Sequence, residues 1–330
     1  MKYVRLILPM LLASFVISGC SSSDSVARPE WIDHASEKYP SNIYLSAVGQ
    51  GSTRDRASQK AIANLLEIFS VKVKSESRTL TEGIKKESAL GVTLESSSTI
   101  RRSIATETEQ AIQGAEIKES WLSPLGQYYV LAVIHRISAA QNLTESIIEL
   151  DKSTANLIEY SNDGAPNSIT ALNALRSARD KQVTRKMADL QLSYLSGNGV
   201  PVEVSSEDIE YLIREKLASI EASVEAPTEP QRNLLAASLS RLGIKVVDSS
   251  PFKVVGTLDL TQPAYIESWY WLRGSYELTM TENDQVISRK RWPVKVSTRQ
   301  KEMLNTRLQD KLDSHMDEYL QTLVSDTPSF

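Results

Sequence analysis

The residue with the most legible chemistry is a single thiol. Cys20 is the only cysteine of the chain, and it stands where an export signal ends. Lys2 and Arg5 give a positive start, and Leu6 to Ile17 give an apolar run. Ser18 and Gly19 then place small side chains next to the cysteine, letting the backbone enter a narrow peptidase site. The thiol can take a diacylglycerol, and cleavage before Cys20 frees an amine for a further acyl chain. A run of about 12 apolar residues is too short to cross a bilayer of ~30 Å comfortably, so the pattern reads as a processed signal and not a spanning helix.

Ile17-Ser18-Gly19-Cys20 matches the bacterial lipobox. The expectation is a signal peptide over 1–19, a lipidated tether over 20–28 and a membrane anchor through Cys20. One acyl chain holds a protein marginally, at ~0.8 kcal/mol per buried CH₂, and two or more hold it firmly. Ser21 follows the cysteine. An Asp there would resemble the inner-membrane retention signal of enterobacteria, so the sorting pattern implies the outer membrane with the body in the periplasm, and leaves surface display open.

Other chemistry does not assemble along the chain. Gly49-Gln50-Gly51 falls between a strand pattern and a helix pattern, where a dinucleotide loop would lie. Arg54 occupies the third glycine position, and Val71-Lys72-Val73-Lys74 offers no acid for a ribose. Turn glycines with positive φ are the simpler expectation. His34, His135 and His315 are the only histidines, and no pair has metal-ligand spacing. Gly-x-Ser-x-Gly is absent. Acid pairs such as Glu207-Asp208 and Asp317-Glu318 read as first-turn or solvated helix charges, although the separation of a carboxylate pair built for glycoside hydrolysis is not visible in sequence. The expectation is therefore no catalytic residue, no cofactor, no metal and no enzyme.

Composition narrows the partner class. The 330 residues allow two or three domains, and 41% apolar content is ordinary for a globular chain. Formal charge is −4; loss of residues 1–19 removes Lys2, Arg5 and no acid, leaving −6. That balance argues against nucleic acid. With Cys20 consumed by lipid, no disulfide remains and packing must hold the body.

The elements that would position any site are readable as periodicities. Residues 29–137 read as an α/β domain. A strand at Ile43 to Val48 leads to a helix at Thr53 to Phe69 carrying Ala57, Ala61, Leu65 and Ile68. A strand at Val71 and Val73 and a helix-compatible stretch over Glu82 to Gln110 follow. Glu116 to Leu122 and Gln127 to Arg136 then make a hairpin about Pro124-Leu125-Gly126. Residues 138–200 read as a helical hairpin. Residues 201–330 read as a second α/β domain: a helix capped by Ser206, a strand at Ile220 to Val224, and a helix at Leu234 to Leu242. Strands at Ile244 to Val247, Lys253 to Leu260, Trp269 to Met280 and Val286 to Val296 follow. A last helix carries Leu304, Leu308, Leu312, Met316, Tyr319 and Leu323 on one side. The expected class is α+β, two domains with helices on mainly antiparallel sheets, joined by the hairpin.

Side-chain alternation in the last strands separates two faces. Tyr270, Leu272, Tyr276, Leu278 and Met280 share one parity with Trp292, Val294, Val296 and Val254, a core face. The other parity carries Trp269, Trp271, Arg273, Arg289, Arg291 and Lys295. Tryptophan and arginine are the commonest binding hot spots. Two readings stay open: a partner-binding face, or tryptophans packed under a loop or the hairpin with the cations as a solvated rim.

Pro29-Glu30-Trp31, Tyr44-Leu45-Ser46-Ala47-Val48-Gly49-Gln50-Gly51, the alanine-spaced helix at Ala57 and Ala61, and Val130-Leu131-Ala132-Val133 resemble the bacterial Lpp-twenty lipoprotein family. The resemblance covers about the first third of the chain. It implies a helix on an antiparallel sheet and no catalytic residues; some relatives are flagellar outer-ring lipoproteins. Element order beyond residue 138 loosely resembles periplasmic modules of lipoproteins that activate peptidoglycan synthases. The leading expectation is a lipid-anchored, non-enzymatic assembly factor that binds another envelope protein, with self-association open. A synthase activator and a cell-wall hydrolase are the alternatives. If Cys20 carries lipid, radiolabelled palmitate labels the wild type and not Cys20→Ser, which accumulates as a larger precursor; label on the Cys20→Ser protein refutes the anchor.

Overall fold

The computed structural model describes residues 27–68, 101–102 and 114–325. Cys20, the tether before residue 27, the strand expected at Val71 and Val73 and the stretch Glu82 to Gln110, apart from residues 101 and 102, lie outside these. The fold is α+β, with a three-stranded and a six-stranded sheet.

In the smaller sheet, β1 (Tyr44–Gly51) and β2 (Glu116–Leu122) flank β3 (Tyr128–His135), both antiparallel to it. The β2–β3 turn uses Gly126 at φ 76°, a left-handed conformation that glycine adopts without cost. β3 is apolar on both parities because both of its faces are covered. Val130, Ala132 and Ile134 face Ala57, Ala61 and Leu65 of helix α2 (residues 54–68). Leu131 and Val133 face Trp31, which arrives from the chain segment containing the short helix α1 (Ala35–Lys38).

Gly49-Gln50-Gly51 is not a turn. All three residues belong to β1, paired with Val130, Tyr129 and Tyr128, and neither glycine has positive φ. The reason for glycine is close approach: a Cβ on Gly49 would stand 2.2 Å from the carbonyl oxygen of Ala57, and one on Gly51 would stand 2.6 Å from the amide of Ala57. Helix α2 lies directly on the strand, and the alanines at its contact stripe complete the fit. Asn64 Nδ2 donates to the Val48 carbonyl at 2.8 Å across the same contact.

β3 passes without a loop into α3 (Arg136–Glu159), which pairs with α4 (Ser168–Ser196) as a helical hairpin. A π-turn at Tyr160–Gly164 ends α3, and Asn167 caps α4 by accepting from the Thr170 amide at 2.8 Å. Gly197 at φ 82° terminates it. The two ends of α4 enter different cores. Ala188, Leu192 and Leu195 join the α2–β3 core, while Ile169, Leu172, Leu175 and Ala178 join the core of the larger sheet. The middle of α4 crosses between them on buried polar side chains. Arg179, 1% exposed, reaches Glu210 at 3.3 Å and Asp180 at 3.1 Å. Gln182 donates to Asp151 and Thr154, and Arg185 donates to the Val200 and Pro201 carbonyls at 3.0 and 2.8 Å. Burial, with Arg179 close by, pushes the Arg176 guanidinium down to about 10.

The larger sheet runs β5-β4-β6-β8, with β7 and β9 both paired to β8. Its strands are β4 (Glu221–Glu225), β5 (Lys245–Val246), β6 (Phe252–Leu260), β7 (Ala264–Ile266), β8 (Trp269–Glu282) and β9 (Gln285–Thr298). β4 is parallel to β5 and β6; the other pairs are antiparallel. Three helices, α5 (Ser206–Ser219), α6 (Glu229–Arg241) and α7 (Leu304–Ser325), bury apolar stripes in one core with this sheet. The N-cap of α5 is Ser205, one residue before the expected Ser206. The capping box pairs Ser205 with Asp208, three residues on, which only Ser205 can reach at the required spacing. Ser206 is instead the first helical residue, and buried.

Removing one partner of a buried ion pair leaves the other charge uncompensated, at ~3–5 kcal/mol. Arg179→Ala is expected to lower the unfolding free energy by about that amount, and Arg179→Met with Glu210→Leu to recover most of it; chemical denaturation of the three proteins measures both effects, and equal losses in the single and double variants contradict the role given to the pair.

Candidate partner-binding face

All six side chains expected on the non-core parity come to the same face of the β8–β9 ribbon. In register, Trp271 opposes Ser297, Arg273 opposes Lys295, Glu277 opposes Arg291 and Thr279 opposes Arg289. The opposite parity is the core face: Tyr276, Leu278, Met280 and Val294 are buried, and Trp292 stacks on Tyr319 of α7 at 4.3 Å. Gly256 in the neighbouring strand makes room there, since a Cβ on it would meet the Tyr276 hydroxyl at 2.5 Å. Burial raises the pKa of that hydroxyl, keeping it neutral.

The outer face is open. Arg273, Arg289, Arg291 and Lys295 are exposed, as are Thr257 and Asp259 of β6, and Trp269 is 38% exposed. The hairpin α3–α4 does not cover the tryptophans. Their cover is cationic: Lys295 Nζ lies 4.7 Å and Arg273 Cζ 5.7 Å from the Trp271 ring centroid, and Arg299 Cζ lies 5.3 Å from that of Trp269. Each such contact contributes about 0.5–1 kcal/mol at an exposed site.

The face divides electrically into two halves. Arg289 and Arg291 share Glu277, at 3.4 and 2.8 Å. Arg273 and Lys295 stand directly opposite each other, and neither has an acid within ion-pair distance among the described residues. Like charges directly across an antiparallel pair are destabilising. Sequence reading missed Glu277 and Arg299. Glu277 lies on the same parity and was open to the same alternation; Arg299 lies past the expected end of the strand at Val296, which continues to Thr298.

The edge of the ribbon is protected. Pro293 of β9 lacks the amide a ladder needs, and such prolines turn their nitrogen away from the neighbouring strand. The Lys295 carbonyl, on the same parity, accepts from Lys311 Nζ of α7 at 3.4 Å. A strand added along β9 would meet a missing donor at Pro293, so the face and not the edge is the available surface.

The remaining candidates disperse. His135 ends β3 with its ring edge-on to Tyr44, His34 precedes α1, and His315 stacks against Tyr319 within α7. Asp208 serves the α5 cap, and Asp317 pairs with Arg241 at 2.7 Å, which holds its carboxyl below the usual range. Among the described residues no three of His, Cys, Asp and Glu gather as a metal site, and no helix is long and apolar enough to cross a membrane. An open groove of about 680 Å³ at the foot of the hairpin, lined by Arg136, Ile137, Gln141, Leu192 and Val200, went unseen in the sequence; Arg136 spans its floor to the Tyr194 and Leu195 carbonyls.

The sheet β1-β3-β2 with α2 against it, preceded by the Trp31 segment, invites comparison with known proteins. Residues 29–135 match the LPP20 lipoprotein family. The LPP20 region therefore ends where β3 meets α3, and it holds none of the six face residues. The match supports a lipoprotein of the cell envelope. No curated protein matches the chain. Among solved structures, a secreted protein, HP1454, from Helicobacter pylori is 14% identical with a TM-score of 0.45, covering 84% of this chain and 97% of that one. A minor lipoprotein from Acinetobacter baumannii is 14% identical with a TM-score of 0.25, covering 31% of this chain and 92% of that one.

Adjacent residues of β8 test the two-faced assignment. Tyr276→Ala is expected to destabilise the chain by about 3–5 kcal/mol, as for a buried aromatic. Glu277→Ala, which removes partly solvated ion pairs, is expected to change it by less than about 1 kcal/mol. Thermal melts of the two variants decide, and similar losses from both contradict the assignment.

Proposed function

We propose that this chain is an outer-membrane lipoprotein, anchored through Cys20 with its body in the periplasm, that acts as a non-enzymatic assembly factor. Its C-terminal sheet holds another envelope protein on the face formed by Trp271, Arg273, Arg289, Arg291 and Lys295. The observation that carries this reading is the unrelieved Arg273–Lys295 pair over Trp271 on an open sheet face. Their contacts with Trp271 account for each cation singly, but not for setting the two directly opposite each other with no acid between them in a chain of formal charge −4. An acidic surface on a partner relieves the repulsion, while Trp271 supplies buried aromatic area in the complex. The LPP20 match supports the envelope setting, and the lipobox supports the anchor.

Capture of partners from the cognate envelope, with the lipidated protein as bait, tests the proposal. Trp271→Ala is expected to weaken capture by about thirtyfold, the effect of a ~2 kcal/mol hot spot, with a nearly unchanged melting temperature. A variant that melts normally and still captures every partner, or one that melts far lower, refutes the binding face.

A further inference from the structure

The end of the larger sheet where β7 turns into β8 differs from the face beside it. Exposed apolar side chains converge there: Tyr265 is 63% exposed, Ile266 46%, and Trp269 38%. Met303 is 41% exposed, and it follows β9 at the same end of the sheet, since Tyr270 pairs with Thr298. These side chains do not share one face. Tyr265 pairs with Tyr270 on the core parity, its ring 4.7 Å from the Tyr270 ring, while Ile266 and Trp269 pair on the outer parity. A protein docking on a sheet covers one face. A hairpin tip that shows apolar groups on both faces suits a medium that surrounds it.

The cations at this end complete the pattern. Arg299 lies over Trp269, Lys301 follows two residues later, and both are exposed without an acidic partner among the described residues. Tryptophan and tyrosine rings favour the headgroup level of a bilayer, where an apolar body meets a polar tip, and neighbouring Lys and Arg side chains attract anionic lipids. We infer that the β7–β8 tip, with Tyr265, Ile266, Trp269, Arg299, Lys301 and Met303, is a membrane-contact site for an anionic lipid surface. Glu267 and Ser268, at φ 50° and 66°, form the turn itself. A carboxylate at the apex holds the tip at headgroup depth and keeps it out of the hydrocarbon. The contact is separate from the lipid on Cys20 and stands whether or not the neighbouring face binds a protein.

The full chain reconstituted in vesicles of phosphatidylethanolamine and phosphatidylglycerol, with lipids brominated near the headgroup end, tests this by tryptophan quenching. Trp269 is one of five tryptophans, so Trp269→Phe is expected to lose the larger part of the quenching. Arg299→Gln with Lys301→Gln, and replacement of phosphatidylglycerol by phosphatidylcholine, should each reduce it, and Glu267→Gln should increase it. Ile266→Ser is expected to reduce quenching while partner capture through Trp271 persists. Quenching that is unchanged in Trp269→Phe overturns the site, because the anchor alone then accounts for the signal. Loss of partner capture in Ile266→Ser without any lipid-dependent quenching of Trp269 also overturns it, assigning the tip to a protein interface.

Discussion

Everything beyond the LPP20 region depends on one helix serving two cores. At ~1.5 Å per residue, the 29 residues of α4 extend about 44 Å, and its two ends are buried by different sheets. Between those ends α3 and α5 close around most of the helix and leave Lys186 as its exposed charge. Arg176, Arg179, Gln182 and Arg185 are buried and must find partners: Ser325 on α7 for Arg176, Glu210 on α5 for Arg179, Asp151 and Thr154 on α3 for Gln182, and the carbonyls of Val200 and Pro201 for Arg185. Buried ion pairs are poor sources of net stability, but a broken one is costly. The layer thus penalises any sliding of α4 along its neighbours, and it fixes which apolar residues reach which sheet.

The larger sheet takes its asymmetry from the same arrangement. α4, α5, α6 and α7 all contribute to one core, and β6, β8 and β9 turn their apolar parity toward it. Glu282 at the end of β8 accepts from both the amide and the hydroxyl of Ser168 at the start of α4, at 3.0 and 2.7 Å. This carboxylate sits at the positive end of the helix and joins sheet to hairpin. With four helices on one side, the other side is left to side chains that tolerate water. Trp269 and Trp271 do so only because Arg299, Lys295 and Arg273 lie over their rings.

The legible parts of the fold were those with a repeating reason. Helix α7 shows its contact stripe at Leu304, Leu308, Leu312, Met316, Tyr319 and Leu323, and all six are buried. The alternation of β8 and β9 separates Tyr276 from Glu277 by period two alone, and that placed the six face residues together. Glycine misled at β1 because it is read as local punctuation, whereas Gly49 and Gly51 answer to a helix that lies on them. Strand β7 escaped because three residues carry no period. The arginines of α4 read as a solvated face in any pattern based on polarity, since no local signal says that two further helices enclose them. At α5 the better signal was present, as Asp208 stands three residues after Ser205 and only two after Ser206.

The junction of His135 and Arg136 has a mechanical consequence. β3 is the central strand of its sheet, and α3 starts at the next residue, with Arg136 Nε donating to the Ser41 carbonyl at 2.7 Å and its other nitrogen gripping the far end of α4. No hinge separates strand from helix. A pull applied at Pro29 would load the Trp31 contact with β3 in shear, and no loop lies between β3 and α3 to absorb displacement before it reaches the helical hairpin.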